Sequence, residues 1–151
     1  MLPLIERLNE SPADCLAALT IESEQHGLRF VRRLAAEWTS GANRFDRPGE
    51  ALFVARIAGQ VVGVCGLNVD PYAARENVGR VRHLYVLTAY RRLGVGRDLV
   101  AEVIEAARGR FDSLHLRTGN PAAAQLYERL GFRRCVDVDD YTHVMKLPCT
   151  V

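Results

Sequence analysis

Lysine is almost missing from this chain: of its twenty basic residues nineteen are arginine, and Lys146 is the exception. Any anion it grips is therefore held mainly by planar guanidinium forks. A compositional bias of the genome gives the same skew, so the skew alone assigns nothing. Net positive charge is also scarce. A formal +2 lacks the strong basic excess of a nucleic-acid binder. No apolar run approaches the roughly 20 residues that a transmembrane helix needs. Cys15, Cys65, Cys135 and Cys149 form no C-x-x-C pair and have no companion histidine at ligand spacing. That pattern excludes a metal site or disulfide framework and reads as reduced thiols. The first ten residues place Glu6 and Arg7 among leucines, without the apolar core or small-residue cleavage site of a signal peptide. The expectation is a cytoplasmic protein with no nucleic-acid, membrane or metal partner.

What is present fits one globular domain over residues 1–151. Hydrophobic residues make up 48% and charged residues 25% of the chain, an ordinary balance for a packed core under a charged surface. No internal repeat, linker or low-complexity tract interrupts it.

Periodicity then orders the chain. Leu4 to Leu8 reads as a short strand. Ser11, Pro12 and Asp14 read as an N-cap, a first-turn proline and a capping-box acid opening a helix through Leu16 and Leu19. A second helix carries Leu28, Val31, Leu34, Ala35 and Trp38 on one face. Strands over 51–57 and 61–67 flank a turn at Ala58-Gly59-Gln60, and another strand spans 78–87. Val95, Leu99, Val100, Val103, Ile104 and Ala107 mark an amphipathic helix. A strand over 111–117, a helix over 121–130 and a strand pair over 132–138 and 141–147 complete the order. Antiparallel strands followed by strand-helix-strand-helix predict an α/β fold of the mixed α+β kind, with helices on both faces of a mixed sheet.

The run from Leu84-Tyr85-Val86 through Arg91-Arg92-Leu93-Gly94-Val95-Gly96-Arg97 takes a strand through a basic glycine turn into a helix. Glycine lets backbone approach a ligand, and the first amides of a helix have no intrahelical partners. Those N–H groups and the helix dipole suit a phosphate or pyrophosphate. A Walker loop needs Gly-Lys-Ser/Thr, and a dinucleotide fingerprint needs a third glycine where Leu99 stands; neither fits. The same residues also read as a basic loop whose glycines merely cap and turn. Downstream, Asn120-Pro121 is a helix N-cap and first-turn pair, and Gly131 is a helix stop.

Taken together, Arg91-x-x-Gly94-x-Gly96 after a strand, then Asn120, Ala123, Leu126-Tyr127 and Gly131-Phe132, resemble the GNAT superfamily of acyl-CoA-dependent N-acetyltransferases. The matching motifs lie within residues 81–132. The resemblance implies a splayed sheet of about seven strands flanked by about four helices. It implies acetyl-CoA as cosubstrate, its pantetheine arm beside Leu84, Tyr85 and Val86 and its pyrophosphate on Arg91, Arg92, Leu93, Gly94, Val95, Gly96 and Arg97. Asn120 matches the position that touches the cofactor arm, and Tyr127 matches the tyrosine that faces the leaving sulfur. A homodimer is common in the family, though no interface is legible here.

Amine acylation requires a neutral nucleophilic nitrogen, a stabilised oxyanion and a proton for the departing thiolate. A backbone N–H near Val86 serves the oxyanion, and Tyr127 is the candidate acid in a direct attack through a tetrahedral intermediate. Tyr127 also reads as a core aromatic on the stripe with Ala123, Leu126 and Leu130. In the ribosomal-protein alanine acetyltransferase branch a glutamate stands five residues before the asparagine, where this chain has His115. In other branches a carboxylate on the strand before the turn is the base; the nearest titratable group here is His83. Histidine suits that work because its ordinary pKa lies near neutrality. His83, His115 and a water chain all stay open as the base, and each histidine also reads as an ordinary strand residue. For the acceptor, a small-molecule amine, a peptide N-terminus or a protein lysine, Asp137, Asp139 and Asp140 offer a cation-attracting turn, with Glu22 and Glu24 nearby. The rival reading is a catalytically silent acyl-CoA sensor.

Overall fold

The structure, a computed structural model, describes residues 2–148; Cys149 lies outside them. In chain order the elements are β1 (Leu4–Arg7), α1 (Ala17–Gln25), α2 (Phe30–Ser40), β2 (Ala51–Ile57), β3 (Gln60–Val69) and β4 (Val78–Val86). There follow α3 (Val95–Ala107), β5 (Ser113–Leu116), α4 (Pro121–Arg129), β6 (Arg133–Arg134) and β7 (His143–Lys146). The strands form one sheet in the order β1-β2-β3-β4-β5-β7-β6. Every pairing is antiparallel except β4 with β5. The mixed sheet with helices, as expected from the order of periodic segments, is the observed fold.

Local chemistry explains most boundaries. Ala58 and Gly59 both take positive φ, 52° and 81°, the twist that a two-residue hairpin turn between β2 and β3 demands. In α3 the apolar stripe Val95, Leu99, Val100, Val103, Ile104 and Ala107 is buried throughout. Gly63 of β3 lets that helix lie close. A Cβ there would fall 2.9 Å from Leu99 Cδ1.

Two expectations are corrected. The helix read from Ser11 begins instead at Ala17; the Pro12 carbonyl accepts from Leu16 N at 2.9 Å and closes a separate turn. The strand read over 132–138 shrinks to Arg133–Arg134. Asp137 beyond it sits at φ 63°, which breaks an extended run, and Phe132 turns inward against Tyr127 with ring centroids 5.8 Å apart.

Candidate active site

The site begins where the sheet comes apart. β4 and β5 pair only at Val78↔Ser113, Gly79↔Leu114 and Arg80↔His115. Beyond Arg80, β4 keeps its other edge on β3 while the edge toward β5 pairs with no strand among the described residues. Val81–Val86 thus present open backbone hydrogen-bonding groups to an extended ligand, as an unpaired strand edge does. Within this stretch the register slips: Val64 pairs with Tyr85 and Gly66 with Arg82, so His83 and Leu84 together face Cys65. This is a β-bulge, and His83 occupies the left-handed region at φ 62°, a strained place for a side chain with a Cβ.

β4 leads directly into the glycine turn. Gly94 is the N-cap of α3 at φ 84°, with no side chain capping the first turn. A Cβ on Gly94 would come within 2.6 Å of Arg97 Nη2, and one on Gly96 within 3.3 Å of Leu126 and 3.8 Å of Val86. Gly94 is thus required by its left-handed φ and Gly96 by the close approach of Leu126, and the amides of the first α3 turn have no side-chain cap. Arg92 and Leu93 are exposed, while Val95 is a core side chain that contributes only its backbone here. Arg91 folds back, its Nε donating to the Val86 carbonyl at 2.9 Å. Asn120 caps α4, its Oδ1 accepting from Ala122 N at 2.9 Å and Ala123 N at 3.3 Å. That leaves its amide Nδ2 outside the cap. Open strand, free helix amides and guanidinium groups fit the pantetheine and pyrophosphate of a coenzyme A thioester.

The candidate catalytic side chains divide by environment. Tyr127 on α4 is buried, and desolvation, with Cys65 adding to it, pushes its phenol well above the usual tyrosine range. His83 lies in a different setting. It stacks on Phe30 at 6.1 Å and meets Phe45 edge-on at 6.3 Å. Burial, then the charges of Arg82 and Arg33, hold its pKa down to about 3, and its buried Nε2 has no hydrogen-bond partner. His115 places Nδ1 3.1 Å from Asp70 Oδ2 and packs its ring on Tyr141 at 4.0 Å. Burial lowers its pKa, Asp70 opposes that, and Arg80 adds to it.

Some functional groups were not legible in the sequence. Asp70, just past the end of β3, is almost fully buried and lies 3.6 Å from Arg80 Nη1 as well as beside His115. Asp70 Oδ2 and Arg80 Nη1 lack aligned hydrogen-bond partners, so this junction holds polar groups with spare capacity. Glu22, read as an acceptor attractor, is committed elsewhere: it accepts from the Tyr85 hydroxyl at 2.7 Å and from Thr88 N and Oγ1, each at 2.8 Å. Tyr85 accordingly faces α1 with its side chain, and its carbonyl lies toward β3, 3.3 Å from where a Cβ on Gly63 would stand. Glu24 is ion-paired with Arg32. Asp137, Asp139 and Asp140 are exposed between β6 and β7, and the Asp140 carbonyl accepts from Arg80 at 2.8 Å.

The sheet is split along a strand that ends on helix amides without side-chain caps. The family follows from comparison: residues 14–132 match the Acetyltransferase (GNAT) family, and the chain belongs to that family of acyltransferases. It is 34% identical over 117 residues to the probable N-acetyltransferase camello of Xenopus tropicalis, covering 74% of this chain and 52% of that protein. It is 36% identical over 84 residues to the N-alpha-acetyltransferase RimI of Mycobacterium tuberculosis, covering 53% and 50%. The matched part thus spans about half the length of these curated relatives. A crystal structure from Exiguobacterium sp. 255-15, of a protein assigned to the acetyltransferases, superposes with TM-score 0.85 at 30% identity over 97% of this chain and 94% of that one. Among the described residues no helix is long and apolar enough to cross a membrane.

Proposed function

We propose that this chain transfers an acetyl group from acetyl-CoA to a primary amine on a small molecule or a peptide, with Tyr127 as general acid and His115 as general base. The observation that carries the reading is the open β4 edge from Val81 to Val86 running into the uncapped first turn of α3. Backbone of Val81–Val86, the amides of the Gly94–Arg97 turn and Asn120 would hold the cosubstrate, which supplies an activated acyl carbon and a thiolate leaving group.

The chain's own groups supply binding and proton traffic. Tyr127 is protonated at neutral pH, and because burial makes its phenol a weaker acid than an ordinary tyrosine, it would hydrogen-bond the sulfur and give up its proton only as anionic charge develops there. The Asp70 carboxylate, 3.1 Å from Nδ1 of His115, favours the proton on that nitrogen by its charge and leaves Nε2 as the nitrogen that would accept one. A His115 pKa below the ordinary histidine value leaves the ring neutral at physiological pH, the form that works as a base. His83, with its pKa near 3, is too weakly basic for that role. His115 aligns with Arg80, three residues before the bulge, about 10 Å along the strand; a proton from an amine near the bulge reaches it through water.

The test is thiol release from acetyl-CoA across a panel of amines, amino acids, polyamines and peptides, with Tyr127→Phe as the comparison. Amine-dependent release that falls about a hundredfold in the variant supports the assignment. Release equal in both proteins removes Tyr127 from catalysis; coenzyme A binding without release for any amine favours a silent binding module.

A further inference from the structure

Arginine is abundant over this surface, and only some of it is ion-paired among the described residues. Arg32, Arg47, Arg56, Arg80, Arg97 and Arg108 each face a carboxylate. Arg29, Arg33 and Arg82 pair with none among the described residues, and all three lie on one side of the sheet. Arg29 and Arg33 flank Phe30 at the start of α2. With Arg32 and Glu24 they line an open concavity of about 430 Å³ at the α1–α2 junction. Arg82 enters from β4, one residue before the bulge.

The concavity is tied to the bulge by contact. Phe30, between Arg29 and Arg33, stacks on His83 and meets Tyr85 edge-on at 6.0 Å. The charges of Arg82 and Arg33 both reach His83. His83 presents a buried, unpartnered Nε2 there, and as a neutral ring it offers a hydrogen bond without a charge to balance. Cationic forks at a cleft mouth with a neutral polar group beneath suit an anion, and carboxylate is the planar, bidentate match for guanidinium. The Asp137, Asp139 and Asp140 turn, by contrast, has no described contact with this wall.

Resting on the acetyltransferase reading, we infer that the acceptor amine carries a carboxylate, held by Arg33 and Arg82 with Arg29 at the rim. The acceptor class is then a free amino acid or an acidic peptide rather than a polyamine. An ammonium-rich acceptor would meet three arginines against the single carboxylate of Glu24, which is already paired with Arg32, and like charge, as well as attraction, is a specificity device.

The test compares acid and amide partners under saturating acetyl-CoA. Free amino acids are set against their carboxamides, and Ala-Asp and Ala-Glu amides against Ala-Asn and Ala-Gln amides. The expected result is at least tenfold higher kcat/KM for the acid member of one of the two sets, which also separates free amino acid from acidic peptide. In Arg33→Gln and Arg82→Gln that preference should shrink at least fivefold, and in Arg33→Gln, which lies outside the cosubstrate edge, KM for acetyl-CoA should stay within twofold. Amides matching acids in both sets, or variants keeping the preference, overturn the inference. Absence of thiol release with every amine counts against the acetyltransferase reading instead. In that case the same acids and amides are titrated into ¹⁵N-labelled protein saturated with coenzyme A. Acid-specific shifts at residues 29–33 and 82–85, lost in Arg33→Gln, support the anion site; no shifts there overturn it.

Discussion

Single groups in this site are set by what surrounds them, and His83 shows it most plainly. Its ring is buried between aromatic faces and two arginines, with a folded pKa near 3 against 6.5 for an unperturbed histidine. The folded state therefore binds fewer protons than the unfolded state between those values. Stability from this group is intact above pH 6.5 and is lost as pH falls toward 3, at up to about 1.4 kcal/mol per pH unit. Replacing the ring by an isosteric apolar one, His83→Phe, is expected to flatten that part of the acid-unfolding profile, measured by denaturant midpoints from pH 7 to pH 4; an unchanged slope would place the acid sensitivity elsewhere. His115 behaves differently because Asp70 partly restores its basicity. In kcat/KM, a limb rising with pH and centred below 6.5 is expected for the wild type. Asp70→Asn should move that limb to still lower pH and reduce the plateau about tenfold, while His115→Gln should abolish it. A variant that only weakened the fold would change Tm without moving the limb.

Elements carry the geometry that single residues cannot. The strand-to-helix turn was legible because its requirements are local: Gly94 at φ 84° and a first turn free of capping side chains follow from glycine spacing in the chain. The Asn120 cap and the burial of Tyr127 were legible for the same reason, from cap chemistry and helix phase within a few residues, whereas their proposed roles toward the cosubstrate come from the family resemblance. What sequence could not give is long-range. The bulge at His83–Leu84 depends on how β4 registers against β3, and the Asp70–His115 contact joins positions 45 residues apart in sequence that meet only because β4 pairs with β5 for three rungs. Glu22 was misread for a related reason: its partners Tyr85 and Thr88 lie more than sixty residues away. At the turn itself, Gly94→Ala forces a side chain into the left-handed region, at a cost of about 1–2 kcal/mol, and crowds Arg97. The expected outcome is a Tm lowered by about 2–8 °C and a KM for acetyl-CoA raised about tenfold, with kcat at saturation nearly unchanged. A KM that stays put would separate the turn from cosubstrate binding.

On the scale of the molecule, α1 and the strand end that leads into the glycine turn, the proposed acceptor and cosubstrate sides of the site, are joined through one carboxylate. Glu22 projects from α1, yet its oxygen takes three hydrogen bonds from the end of β4 and the start of the turn, namely Tyr85, Thr88 N and Thr88 Oγ1. Burial opposes its ionisation, but those donors and the nearby charge of Arg91 outweigh burial and hold its pKa below the ordinary glutamate value. Its contribution to stability is therefore present above pH 4.5 and declines as pH falls through the lowered folded pKa. Hydrogen bonds to a charged acceptor stabilise by about 1.5–3 kcal/mol. Removing all three in Glu22→Ala also leaves the Tyr85 hydroxyl without its acceptor, against a helix that now lacks its tether. The expected result is a Tm lower by about 3–12 °C, and KM raised for acetyl-CoA and amine alike, because α1 and the turn lose a common anchor. Glu22→Gln keeps an accepting oxygen and should recover more than half of the Tm loss. Calorimetry of coenzyme A binding with and without an amine acceptor reads the coupling directly: a synergy between the two ligands that survives in Glu22→Ala would show that the sheet itself, rather than this carboxylate, transmits it.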